Sequence, residues 1–197
     1  MKKLFALFIL LIISLTNINN AFSISPDVFI QSTVNRASQI LSKDISKDDK
    51  MSQLKLIAKE TVDIRGIGFY SLGSIRKDLN ENQKKTYSDL FEKYFLKSFS
   101  SRLAEYTNPE IEVKNKEVLN KNYTIVNSVL VSTAERPEIN IDWRVYTKNP
   151  NNPLIRDLII EGLSLARTQR EEFSSILNSN DGDINALFKV LNDFSKN

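Results

Sequence analysis

The chain contains no cysteine and no histidine. Every arrangement that needs an imidazole or a thiol is thereby excluded: the Ser-His-Asp triad, the Cys-His pair, histidine acid–base catalysis and zinc sites of Cys/His type. Carboxylate-only mechanisms survive this filter. The missing cysteine does not locate the protein, because a disulfide-free chain can live in any compartment. There are no internal repeats and no low-complexity tract. Past residue 15 no apolar run approaches the ~20 residues a membrane span needs.

What is present is ordinary for one soluble domain. The 197 residues are 41% apolar and 26% charged, enough to bury a core. Lys2 and Lys3 precede an apolar run from Leu4 to Leu15, an Asn-rich patch and Ala21-Phe22-Ser23. This pattern predicts a signal peptide over residues 1–23, cleaved near Ser23, with residues 24–197 as the mature domain. Cleavage removes two of the 27 basic residues and no acidic one, so 25 cations would face 24 anions. A nearly neutral protein is a poor nucleic-acid ligand.

The first half reads as helices. Ser25-Pro26-Asp27 is a helix start, followed by apolar residues at helical spacing to Leu41. Ser46 opens a second helix. Residues 63–73 predict a short, bent or broken helix, weakened by Gly66 and Gly68. That Gly-x-Gly lacks the third Gly and the Lys-Ser/Thr of a phosphate loop. Asn80-Glu81-Asn82-Gln83 opens the longest helix, expected from Asn80 to Tyr106, with an aromatic stripe through Tyr87, Phe91, Phe95 and Phe99.

The second half is β-rich. Strands are expected at 111–119 (possible irregularity included), 123–132, 139–146 and 154–161, with short connections that imply an antiparallel meander. In the third, Ile139, Ile141, Trp143 and Val145 alternate with Asn140, Asp142, Arg144 and Tyr146. The fourth is an apolar run interrupted by Arg156 and Asp157. Gly162 then turns the chain into a helix, and a final amphipathic helix carries Ile184, Leu187, Val190, Leu191 and Phe194. Helices and strands are segregated along the chain, which predicts an α+β fold: a twisted four-stranded antiparallel sheet packed by helices, with an apolar pocket between the layers.

The segment after the fourth strand carries a resemblance. Asp157, Glu161, Gly162, Ser164, Leu165, Arg170 and Phe173 are similar to the C-terminal signature of the MlaC family, also called toluene-tolerance auxiliary proteins. Asp63, Leu72-Gly73, Arg76, Gln83, Phe91 and Tyr106 follow the family's order and spacing upstream. The chain departs from it at Ile75 and Leu154, where the family commonly has Trp. The resemblance implies a periplasmic phospholipid carrier, not an enzyme, with no cofactor. Its partners would be phospholipid, an inner-membrane ABC transporter complex and an outer-membrane lipoprotein–porin complex, serving outer-membrane lipid asymmetry. The alternative is a periplasmic small-ligand-binding or adaptor protein without lipid.

For a carrier, the candidate lipid-binding wall is Ile67, Tyr87, Phe91, Phe95, Val129, Trp143, Val145, Leu158 and Ile160. Solid core uses the same residue types. Asp157 and Glu161, four strand residues apart, span over ~13 Å. That is too far for a glycosidase pair, so edge or turn roles are expected. Arg76, Lys77, Lys84, Lys85, Arg167 and Arg170 are candidates for a basic patch that takes lipid phosphate or a docking partner; a solvated surface is the competing explanation.

Overall fold

A computed structural model describes residues 23–196. The expected signal peptide falls outside the described residues, apart from Ser23. Six helices and five strands follow in order: α1 (Pro26–Leu41), α2 (Lys47–Thr61), α3 (Ile64–Ser71), a 3-10 turn (Ile75–Lys77), α4 (Glu81–Leu103), β1 (Ile111–Asn120), β2 (Tyr123–Leu130), β3 (Ile139–Tyr146), β4 (Leu154–Ile160), β5 (Leu163–Ser164), α5 (Leu165–Asn178) and α6 (Ile184–Lys196). The α+β class holds, with five strands where four were expected. The fifth is two residues long and folds back antiparallel on β4.

Local chemistry explains most boundaries. Asn80 and Gln83 form a reciprocal capping box at the start of α4, satisfying two otherwise orphaned N–H groups. Ser46 caps α2 by accepting from Asp49 N. Ser25 occupies the cap position of α1, but its hydroxyl bonds the Asp27 carboxylate instead of the backbone. The longest helix stops at Leu103, three residues short of the expected Tyr106, before Asn108 takes a positive φ of 47°.

The sheet is a meander ordered β1-β2-β3-β4-β5, every pair antiparallel. Residues opposite one another across the ladders share a face. One face carries Val126, Val145 and Ile155, all buried, in one core with Ile30 and Val34 of α1 and Tyr87 and Phe91 of α4. The other carries Tyr123, Arg144 and Asp157. Each edge is covered over part of its length, which shortens the template for unwanted strand pairing. At β1, the Gln31 side chain donates to Ile111 O and accepts from Val113 N. At β4, Asp63 N donates to Ile155 O at 2.9 Å.

The aromatic stripe of α4 runs through the core. Phe91 stacks between Tyr87 and Phe95 at centroid distances of 5.7 and 6.1 Å and meets Phe173 of α5 edge-on at 6.1 Å. Helix α3 lies so close that a Cβ at Gly68 would come within 2.7 Å of Phe91 Cδ1. Tyr87 donates its hydroxyl to Gly68 O at 2.8 Å, and burial pushes its phenol above the ordinary value. Gly68→Ala gains about 1 kcal/mol of helix propensity against an overpacking cost of about 1–3 kcal/mol. A lowered urea midpoint is the expected outcome. Tyr87→Phe should cost about 1 kcal/mol, one hydrogen bond, with an unchanged denaturant slope.

Candidate functional site

Helix α3 forms where two glycines argue against it because Asp63 caps it. Asp63 Oδ1 accepts from Gly66 N at 2.9 Å, and its carboxylate sits where a Cβ on Gly66 would be, 2.3 Å from Oδ2. The other carboxylate oxygen, Oδ2, accepts from Arg156 Nε at 2.6 Å. Arg156 in turn donates to the Tyr123 hydroxyl at 2.7 Å and lies 3.6 Å above the Tyr146 ring. It reaches these partners because it is the extra residue of a β-bulge: Arg144 pairs with Asp157 but Val145 pairs with Ile155. A bulge re-aims its side chain.

The next residue holds a second helix. Asp157 is 3% exposed. Its Oδ1 accepts from Ala166 N at 3.0 Å and its Oδ2 from Ser164 Oγ at 2.6 Å, at the start of α5. Arg144 Nη1 stands 3.7 Å from the same carboxylate. Glu161 turns the chain at positive φ and accepts from Asn140 N. Neither acid is free of partners: Glu161 closes a turn, as expected, whereas Asp157, expected at an edge or turn, is buried and anchors a helix.

Between α3, the 3-10 turn, the β1–β2 hairpin tip, β3–β4 and the start of α5 lies a cavity of about 900 Å³. Ile67, Phe69, Tyr70, Leu119 and Ala166 supply apolar wall; Arg76, Lys77, Lys84, Arg144 and Arg156 supply charge. Tyr123 and Asn120 complete the hairpin side. The volume is at the upper end of small-molecule sites. The space is amphipathic, fit for a molecule with an apolar body and an anionic end.

Of the candidate wall residues, Ile67 lines this cavity. Tyr87 and Phe91 are packed solid beneath α3, and Phe95 is half-buried against Phe99, 5.7 Å away. Val129 is buried on the same sheet face as Tyr123 but outside the lining. Trp143, Val145, Leu158 and Ile160 share the opposite, packed face; Trp143 Nε1 donates to Ser128 Oγ at 2.8 Å. Of the candidate basic patch, Arg76, Lys77 and Lys84 reach the cavity. Arg167 pairs with Glu171, Arg170 packs 5.3 Å from the Tyr70 ring, and Lys85 is exposed outside the lining.

Comparison with known proteins bears on this geometry. The family model of the MlaC protein matches residues 31–193. The chain belongs to the MlaC family. The phospholipid-binding protein from Ralstonia solanacearum, solved in complex with a phospholipid, superposes with a TM-score of 0.73 at 17% identity. The match covers 88% of this chain and 98% of that one, so the fold is shared nearly end to end. No curated protein matches.

Sequence reasoning missed Leu119, Tyr123, Arg144 and Arg156 among the residues that line this cavity. The available signal was Arg156-Asp157 interrupting an otherwise apolar strand. Asp157→Ala should destabilise by about 3 kcal/mol, because it strips acceptors from a hydroxyl and a buried N–H. Asp157→Asn retains one acceptor and should lose less. Equal denaturation midpoints for both variants and the parent would contradict the anchor role.

Proposed function

We propose that this MlaC-family protein is a periplasmic phospholipid carrier that shuttles lipid between the outer and inner membranes. It is a binding and transport protein, not an enzyme. The observation that carries the reading is the amphipathic cavity, with apolar wall at Ile67, Phe69 and Leu119 and cations at Arg76, Lys77, Lys84, Arg144 and Arg156. The family match and a neighbour solved with a phospholipid support it. An exported protein of this kind would lose residues 1–23 and exchange lipid with an inner-membrane ABC transporter complex and an outer-membrane lipoprotein–porin complex.

The energetics give a carrier its purpose. Burial of acyl chain is worth about 0.8 kcal/mol per methylene. Two chains of about fifteen methylenes each would therefore cost on the order of 20–25 kcal/mol to expose in the aqueous gap. A protein that covers the tails removes most of that barrier and leaves the polar headgroup at the cavity mouth.

Site-specific photocrosslinking tests the location. A benzophenone amino acid at Leu119 or Tyr70, both exposed and on the cavity, should crosslink to phospholipid that accompanies the protein. The same probe at Val190, exposed on α6 and outside the cavity, should not. Equal yields at all three positions would place the lipid elsewhere.

A further inference from the structure

The cavity gathers charge of one sign. Five of its lining residues are cationic, Arg76, Lys77, Lys84, Arg144 and Arg156, and one, Asp157, is anionic. Neighbouring carboxylates neutralise part of this. Arg156 is paired to Asp63 at 2.6 Å, Lys84 to Glu81 at 2.9 Å, and Arg144 lies 3.7 Å from Asp157. Five cations against these three carboxylates leave an excess of two positive charges.

The excess has a definite place. Arg76 donates only to the Phe69 carbonyl, at 3.3 Å, and Lys77 makes no ion pair among the described residues. Both are exposed and adjacent on the 3-10 turn. Across the cavity, Arg144 Nε is buried without a hydrogen-bond partner. That donor set suits an anionic oxygen cluster that arrives from outside.

We propose that these cations form a phosphate subsite selecting lipids whose headgroup is net anionic, a phosphodiester with an uncharged alcohol, over zwitterionic lipids bearing an amine. The inference rests on the carrier reading. A phosphodiester satisfies guanidinium and ammonium donors through charge-assisted hydrogen bonds. Both lipid classes carry it. A zwitterionic lipid also brings an ammonium to a site that already holds surplus positive charge, and apolar walls concentrate that field. The selectivity therefore comes from repulsion of the amine as much as from attraction of the phosphate.

The test loads lipid-free mature protein (residues 24–197) from vesicles of equal phosphatidylglycerol and phosphatidylethanolamine, repurifies it without detergent and quantifies the extracted lipids. The expected result is enrichment of phosphatidylglycerol by about threefold or more at low salt, weakening as salt screens the site. Arg76→Gln combined with Lys77→Gln should bring the ratio to about one; both positions are exposed, so the fold is kept. Equal loading of both lipids by the parent protein overturns the headgroup inference and leaves the carrier reading standing. Loading of neither overturns both. Calorimetric binding of soluble glycerol phosphate with no lipid loading would assign the cluster to free phosphoesters and overturn the lipid assignment.

Discussion

Two adjacent residues of β4 hold the walls of the cavity. Arg156 reaches out of a bulge to the carboxylate that caps α3, and Asp157 reaches to the first turn of α5. Both contacts are at least partly shielded from water. Losing one partner of the Arg156–Asp63 pair leaves the other charge partly buried and uncompensated, and losing the Asp157 carboxylate leaves a buried N–H without an acceptor. Helices α3 and α5 also touch each other and α4 or α6, and these two side chains tie that helical layer to the sheet. The cavity is the space this arrangement leaves between α3 and the β1–β2 hairpin.

The same contacts explain what the family signature encodes. Asp63 caps α3, Leu72 is buried, and Gly73 takes a φ of +61° with Arg170 Nε 3.3 Å from where its Cβ would stand. Asp157 and Ser164 start α5, Gly162 turns at φ +81°, and Phe173 is 2% exposed against Phe91. These positions build the scaffold. Two of the positions that carry the resemblance, Asp157 and Arg76, lie on the cavity.

Much of the architecture was legible from pattern. The alternation over 139–146 matched β3 at both ends, the Asn80–Gln83 box opened α4, and Asn120–Asn122 marked the hairpin. What escaped has physical reasons. Strand β5 is too short for any periodicity. The bulge at Arg156 is a local register shift that no run of apolar residues reports. The cavity draws on residues from Gly66 to Ala166 that only tertiary packing brings together. Apolar residues of the α4 stripe could be named as buried, but burial alone does not separate filled core from cavity wall.

A cavity that carries a phospholipid through water must hold it in the purified protein. Native mass spectrometry of the mature protein, residues 24–197, purified from a bacterial periplasm without detergent, tests it most directly. The expected result is a mass excess equal to a phospholipid, lost on denaturation and recovered in the organic extract. A clean unliganded mass that persists after incubation with liposomes would contradict it.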